Sequence, residues 1–484
     1  MTQFATRVCM GYRMGRIMDD LLYASAMKMA AAVRAKHVSS AELVEAHLRR
    51  IEEVNPMLNA VVVSLADRAR EEARQADAAT MRGDATGPLH GVPTTVKEAW
   101  ECAGIPCTGG TLGRKGFIGA RDSTVVARLR AAGAIPLGMT NTPEFSMAFE
   151  SDNLVYGRTN NPYDLSRTPG GSGGGGAAII AAGGSPWEVG ADLGGSIRLP
   201  AHFSGIAGIK PTVGRVPMTG YFPPSLGFMQ MFCSAGPMAR HVEDLALTLR
   251  FLAGPDGIDT MCAPVPVGDL AAVDVRKLRV ALHTDNGIVA ASAETAQTVR
   301  RAAKSLSDAG AAVEEARPEA IELAFEIFLA TFAADGGSGL RHLLDACGTT
   351  EIHPLLQGLF SVAGSGFTPA MFGGLLARVS MWRMQMLAFM SRYDVILAPV
   401  NAFPALKHGS TVENLAAFSY TMAYNLTGWP GAVVRCGTSQ EGLPIGVQAV
   451  AQPWREEVAL AVVQHLETAF GGWQRPDLAH QAGA

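Results

Sequence analysis

Residues 190–215 read GADLGGSIRLPAHFSGIAGIKPTVGR, and they place Ser196 between two glycines and an Ile-Arg pair. Glycines allow the close backbone approach that active-site loops require. The setting therefore predicts that Ser196 is a nucleophile. This stretch holds one histidine and one acidic residue, which leaves open the question of which group takes the proton of Ser196.

The composition of the whole chain is typical of a core-rich globular protein. Of 484 residues, 48% are hydrophobic and 17% are charged, against a usual charged share of about 25%. The formal net charge is -4, without a basic block, so we expect no binding to nucleic acid. The N-terminus carries arginines but no continuous apolar segment. We therefore expect no secretory signal, no membrane association and a cytoplasmic location.

Strand and helix patterns alternate along the chain. KLRVALHTD (277–285), YDVILAPV (393–400) and PIGVQAVA (444–451) are typical of buried strands, and residues 292–310 have a helical pattern. Ser39 and Glu42 are spaced as a capping box, which predicts a helix that ends at Pro56. The pattern predicts an α/β fold in which a large, mostly parallel mixed β-sheet is covered by helices on both faces.

Several other motifs compete with this interpretation. GGSGG (170–174) fits the nucleophile elbow of α/β-hydrolases, but a polar, proline-containing loop precedes it instead of a hydrophobic strand. Ser25 and Lys28 fit S-x-x-K and residues 151–153 read SDN, but the third motif of the penicillin-recognising enzymes is missing. The glycine run after residue 169 lacks the G-K-[ST] of a phosphate loop, and we expect neither a metal nor a cofactor.

Lys97 is the candidate base. A lysine accepts a proton only when it is neutral, and burial among apolar neighbours such as Val96 and Trp100 disfavours its charged form. A single lysine is more often solvated, but Lys97 follows the apolar run VPTTV, at what looks like the end of a strand. Lys97, Ser172 and Ser196 then form the candidate constellation.

The sequence resembles the amidase signature family. GGSGGG (170–175), GADLGGSIRLPA (190–201) and GIKPTVGR (208–215) follow the family pattern in order and spacing. GVPTTVKEA, GMTNTPEF, NLTGWPGAVV and GLPIGVQAVA extend the resemblance outward, from about Leu22 to Phe470. The resemblance implies one domain over residues 22–484, with a signature core at about residues 85–265, after an N-terminal extension of residues 1–21.

The resemblance also implies a Ser-Ser-Lys triad. In this family Ser196 would be the nucleophile, Lys97 the base, and Ser172 a bridging serine whose peptide bond with Gly171 is cis. The proton of Ser196 would pass to Ser172 and from there to Lys97. The reaction would be acyl transfer, in which water releases the acyl group from Ser196.

The loop around the nucleophile has two further implied features. Asp192 and Arg198 would form a buried pair that shapes the loop. Gly173 stands where the family usually has a second serine and Ala191 replaces a common threonine, so we expect a looser, roomier hydrogen-bond network. The oxyanion would be held by the N–H groups of Leu193, Gly194, Gly195 and Ser196.

Two segments rich in methionine and aromatic residues, 216–240 and 367–390, suggest an apolar channel. We expect hydrolysis of bulky apolar or aryl amides, with esters and carbamates (urethanes) open to the same route. The residues expected to bind this small-molecule substrate are Met147, Tyr156, Gly173, Tyr221, Phe228, Met231 and Phe367.

Two alternatives to this function remain open. One is a glutaminase-type subunit of a tRNA-dependent amidotransferase. The other is an inactive binding scaffold, against which the intact Lys97, Ser172 and Ser196 argue. We expect a monomer or a homodimer.

Overall fold

One mixed sheet of eleven strands runs through the computed structural model, which describes residues 20–84, 87–224, 227–363 and 366–481. Apart from its last two residues, the predicted extension 1–21 lies outside these ranges. The strands are β1 (Val61–Ser64), β2 (Pro93–Lys97), β3 (Ile135–Thr140), β4 (Trp187–Asp192), β5 (Ala207–Lys210), β6 (Ser234–Ala239), β7 (Arg279–Leu282), β8 (Ala312–Glu315), β9 (Val395–Pro399), β10 (Gly431–Thr438) and β11 (Pro444–Ala451). Their order in the sheet is β1-β3-β2-β4-β6-β5-β10-β11-β9-β7-β8.

The α/β class and the large mixed sheet are confirmed, but the expectation of mostly parallel strands needs correction. Of the ten neighbouring strand pairs in the described ranges, six are antiparallel and four are parallel. Parallel neighbours need a long crossover, whereas a tight turn makes its two strands antiparallel. The short connection 439–443 between β10 and β11 is such a turn.

Helices cover both faces of the sheet, as expected. Side chains alternate along β10: Ala432 and Val434 enter one hydrophobic core, and Val433 enters the other. The helices are α1 (Ala26–Arg34), α2 (Ser40–Leu58), α3 (Ala66–Arg82), α4 (Thr124–Ala131), α5 (Gly174–Ala181), α6 (Arg198–Phe203), α7 (Val242–Leu252), α8 (Ala293–Ala309), α9 (Ala324–Ala333), α10 (Ser338–Cys347), α11 (Pro354–Ala363), α12 (Pro369–Met390), α13 (Ser419–Leu426), α14 (Glu456–Phe470) and α15 (Leu478–Gln481).

Helix α2 begins at the predicted capping box. The Ser39 hydroxyl accepts the Glu42 N–H, and the Glu42 carboxylate accepts the Ser39 N–H. The helix does not end at Pro56, as predicted, but at Leu58. It ends there because Asn59 adopts the left-handed conformation that closes many helices.

The sheet topology explains how distant motifs meet. Strands β2 and β4 are parallel neighbours, so their carboxyl ends lie at the same edge of the sheet. Lys97 is the last residue of β2, and the loop that carries Ser196 follows β4 directly. This edge therefore brings the predicted base and the predicted nucleophile into one region.

No single helix in the described ranges is long and apolar enough to cross a membrane. One pair of helices, Ile321–Ala333 and Ser338–Cys347, meets the criteria of length and composition when taken together, with a bend of 48° between them.

Candidate active site

Lys97 is fully buried and faces two hydroxyl groups. Its Nζ lies 2.7 Å from Ser172 Oγ and 3.0 Å from the hydroxyl oxygen of Tyr221. Burial lowers the pKa of Lys97 to about 7, although the nearby Cys233, Glu188 and Asp192 raise it. A substantial neutral fraction therefore exists near neutral pH, and that form can accept a proton.

The loop that carries Ser172 is held by a second serine. The Gly171–Ser172 peptide bond is cis, as the resemblance implies. The buried hydroxyl of Ser151 donates to the carbonyl oxygens of Gly170 and Ser172, at 3.1 and 3.4 Å, and accepts the N–H of Gly174 at 3.0 Å. Sequence reasoning missed this role of Ser151, because nothing in its spacing from Ser172 signals the contact.

Ser196 and Ser172 line the same cavity. The N–H of Gly173 donates to the carbonyl oxygen of Ser196 at 3.1 Å, which ties the two serine loops together. Within the described ranges the Ser196 hydroxyl has no hydrogen-bond partner, so the Lys97–Ser172 link of the expected relay is formed and the Ser172–Ser196 link is not. Catalytic hydrogen bonds often tighten only when the substrate is bound.

The turn before Ser196 offers free N–H donors. In the described part of the chain, the N–H groups of Leu193, Gly194 and Ser196 have no protein acceptor, whereas that of Gly195 donates to the Asp192 carboxylate at 2.8 Å. The structure thus leaves three donors where the resemblance implied four. Gly195 has a φ of +128°, a conformation that favours glycine.

Asp192 and Arg198 form the expected buried pair. Arg198 Nε and Nη2 lie 3.0 Å from the two carboxylate oxygens of Asp192. Asn425 donates to the same carboxylate at 2.9 Å, and its own amide oxygen accepts from Arg198 at 2.6 Å. Although burial opposes ionisation, the neighbouring Arg198 lowers the pKa of Asp192 to about 2. The loop is therefore fixed around an ionised carboxylate.

A cavity of about 790 Å³ opens in front of the two serines. Four of the predicted substrate-binding residues line it: Met147, Tyr221, Phe228 and Phe367. Helices α9 to α11 form another part of the wall, which sequence reasoning missed because its apolar residues have the same pattern as ordinary core residues. This part includes Phe332, Leu340, Leu343, Leu359 and Phe360. Phe372 of α12 also lines the cavity and lies in the segment 367–390 that was predicted to form a channel.

Two predicted substrate-binding residues lie elsewhere. Tyr156 does not line the cavity, and its hydroxyl donates to the buried Glu98 carboxylate at 3.3 Å. Met231 belongs to the 3-10 helix Gly227–Phe232, and its carbonyl oxygen accepts from Arg383 at 3.3 Å. Their aromatic and methionine side chains resembled those of a channel, but both residues are part of the supporting structure.

Gly173 also lies outside the cavity lining, and the looser hydrogen-bond network expected at this position stays a prediction. A Cβ atom added to Gly173 would stand 2.7 Å from the carbonyl oxygen of Ser196 and 3.1 Å from the Met238 side chain. The glycine thus fills a place where the two loops are in direct contact. Ala191, the other departure from the family pattern, lines the cavity.

The competing motifs have structural explanations. Ser25 is the N-cap of α1, where its hydroxyl accepts the N–H of Lys28 at 3.2 Å. The Ser172 loop leads into α5 without a strand before it, unlike the elbow of an α/β-hydrolase. No group of three or more His, Cys, Asp or Glu residues in the described ranges could hold a metal ion.

Comparisons with known proteins agree with this geometry. The family model described as Amidase matches residues 42–460. The chain is 36% identical to fatty-acid amide hydrolase 2-A of Danio rerio, over 96% of this chain and 92% of the relative. It is 35% identical to a glutamyl-tRNA(Gln) amidotransferase subunit of Anaeromyxobacter dehalogenans, over 92% of this chain and 96% of the relative.

A solved structure shares the fold as well. The structure of 6-aminohexanoate cyclic dimer hydrolase with its substrate superposes with a TM-score of 0.85 and 28% identity, over 94% of this chain and 99% of the other. The residues matched by the family model, 42–460, include all eleven strands as well as Lys97, Ser172 and Ser196. The chain belongs to the amidase signature family and is a hydrolase of amide carbon–nitrogen bonds.

Proposed function

We propose that this protein hydrolyses bulky apolar or aryl amides through an acyl-enzyme on Ser196, and that esters and carbamates enter the same route. The observation that carries the proposal is the apolar cavity of about 790 Å³ in front of the hydrogen-bonded Lys97 and Ser172. A cavity of this size accommodates a drug-sized molecule.

The proposed mechanism uses these polar groups in sequence. Neutral Lys97 takes the proton of Ser172, Ser172 takes that of Ser196, and the Ser196 oxygen attacks the substrate carbonyl carbon. The free N–H groups of Leu193, Gly194 and Ser196 stabilise the resulting oxyanion, and each such donor is worth on the order of 10² to 10³ in rate.

Breakdown of this intermediate reverses the proton path. Ser172 gives a proton to the leaving nitrogen and regains one from Lys97, so the C–N bond breaks and an acyl-enzyme ester remains on Ser196. Water, deprotonated through the same two groups, then attacks the ester and frees the acid. Every proton lost by a nucleophile reaches a leaving group.

The lining of the cavity favours an apolar substrate over glutamine. Among the lining residues that the structure describes, Asp335 is the only charged one, and its carboxylate already accepts the N–H groups of Gly337 and Gly339 at 2.8 Å. Free glutamine carries an ammonium and a carboxylate group, which need charged or polar partners when they are buried. The amidotransferase alternative is therefore less well supported than an apolar amide.

A fluorophosphonate probe tests the nucleophile. We expect a covalent adduct on Ser196, located by peptide mass spectrometry, and no adduct in Ser196→Ala. An adduct on Ser172 would instead favour the hydrolase-elbow interpretation, and no adduct would favour an inactive scaffold.

A substrate panel tests the specificity. We expect higher kcat/KM for acyl anilides, aryl esters and aryl carbamates than for acetamide or glutamine. A preference for small polar amides would contradict the apolar assignment, and glutaminase activity with a co-purifying partner would favour the amidotransferase alternative.

A further inference from the structure

Tyr221 lies against the candidate base in a fixed orientation. Its ring packs edge-on against Trp100, with 4.7 Å between the ring centroids, and the two residues also pair through their backbones. The indole N–H of Trp100 donates to the carbonyl oxygen of Val189 at 3.1 Å, which holds the tryptophan on strand β4. Tyr221 is buried as well, so its hydroxyl has little freedom to leave Lys97.

The hydroxyl of Tyr221 and that of Ser172 are the two hydrogen-bond partners of Lys97 Nζ in the described structure. A neutral amine has two N–H bonds and one lone pair. When one N–H is donated to the Tyr221 oxygen, rotation about the last bond of the lysine is restricted. The lone pair can then point to Ser172, which is the orientation that proton transfer requires.

Tyr221 also favours the charged lysine that forms during the reaction. The ammonium group can donate to the hydroxyl oxygens of both Tyr221 and Ser172. Burial raises the pKa of Tyr221, so the phenol keeps its own proton and does not act as a second base. The tyrosine therefore partly offsets the desolvation of Lys97 without exchanging a proton with it.

We propose that Tyr221 is a positioning residue of this active site, which orients Lys97 toward Ser172 and stabilises its protonated form. The proposal rests on the triad proposed above. It gives Tyr221 a role in proton transfer, besides the role as part of the substrate-binding wall that the sequence suggested.

The test is Tyr221→Phe, which removes the hydroxyl and keeps the ring. A hydrogen bond to a charged group corresponds to roughly a 10- to 100-fold effect, so we expect kcat toward an acyl 4-nitroanilide to fall by about that factor, with KM nearly unchanged. Because the charged lysine loses an acceptor, the acidic limb of the pH profile of kcat/KM should move down by about one pH unit.

The matched control is Tyr393→Phe. The Tyr393 hydroxyl donates to Glu314 at 2.8 Å, and the residue is not part of the cavity lining. We expect its kcat and its pH profile to equal those of the wild type. Circular dichroism and thermal midpoints of both variants show whether a loss of activity reflects misfolding.

Three results would overturn the role of Tyr221. These are an unchanged kcat with an unchanged pH limb, a rise in KM alone, and an unchanged rate of fluorophosphonate labelling of Ser196 in the Phe variant. The labelling rate needs no substrate and reports activation of the serine directly. If the wild type itself were not labelled on Ser196, the proposed triad would fail. If the wild type were labelled and Tyr221→Phe were labelled at the same rate, only the role of Tyr221 would fail.

Discussion

Two lysines of this protein are equally buried and differ in their neighbours. Lys97 ends strand β2 and Lys210 ends strand β5, both are fully buried, and burial lowers the pKa of each to about 7. Lys97 faces the hydroxyls of Ser172 and Tyr221 beside the cavity, whereas Lys210 Nζ donates to the carbonyl oxygen of Pro211 at 3.0 Å. A carbonyl has no proton to transfer, whereas the Ser172 hydroxyl beside Lys97 has one.

The surroundings of Lys210 fit a structural role. After burial, the groups that shift its pKa most are Arg198, which lowers it, and Asp192 and Glu456, which raise it. Glu456 forms a buried ion pair with Arg215 at 2.6 Å. Lys210 thus lies within a buried network of charged groups that balance one another.

The largest expected effect separates the two lysines by activity. Lys97→Met should lower kcat/KM by about 10²- to 10⁴-fold, because it removes the general base. Lys210→Met should stay within about tenfold of the wild type, since Lys210 contacts no reacting group. Hydrolysis of an acyl 4-nitroanilide by both folded variants measures the difference, and equal losses would show that the comparison is wrong.

The next largest effect is a loss of stability when the charge of Asp192 is removed. The charge of Asp192 raises the pKa of Lys97 and of Lys210. Asp192→Asn leaves the buried Arg198 without its counter-charge, which should destabilise the protein by about 3–5 kcal/mol. Urea denaturation measures this loss.

Asp274→Asn is the surface control for that measurement. Asp274 pairs with Arg276 at an exposed site, where ion pairs contribute little to stability. We expect its denaturation midpoint to stay close to that of the wild type. A similar loss in both variants would contradict a special role for the buried Asp192–Arg198 pair.

The smallest effect is a difference in pH dependence. Because Lys97 loses its proton near pH 7, kcat/KM should rise as the pH increases through about 7, and Lys210→Met should keep this limb. A wild-type rate that is flat between pH 6 and 8 would argue against Lys97 as the base.

The pH dependence of the free energy of unfolding gives a separate test of Lys210. An unfolded lysine holds its proton up to about pH 10, whereas the folded Lys210 gives it up near pH 7. The unfolded state therefore binds more protons above pH 7, so this lysine makes stability rise with pH in that range. Lys210→Met should show a weaker rise between pH 7 and 8.5 than the wild type, and an equal rise would mean that Lys210 is charged in the folded protein.

The sequence patterns predicted the candidate reacting residues better than the residues that hold them in place. Ser196 and Lys97 could be proposed from local patterns, a glycine-flanked serine and a lysine after an apolar run, because both patterns lie within a few residues. The Ser151 contact with the Ser172 loop and the engagement of the Gly195 N–H by Asp192 depend on how loops meet in space. Likewise, the part of the wall on α9 to α11 could not be separated from ordinary core, because burial in a cavity and burial in a core require the same apolar residues.

The position of β5 in the sheet has a consequence for how the protein is synthesised. Strand β5 pairs with β6 on one side and with β10 on the other, and β10 begins about 220 residues after β5 ends. At about 5 to 20 residues per second, the ribosome needs roughly 10 to 40 seconds to supply that partner. During this interval the nascent chain carries an open strand edge on β5, which is a template for aggregation. Fragments that stop before Gly431 should therefore aggregate, and a chaperone that shields the edge should raise the yield of the full chain.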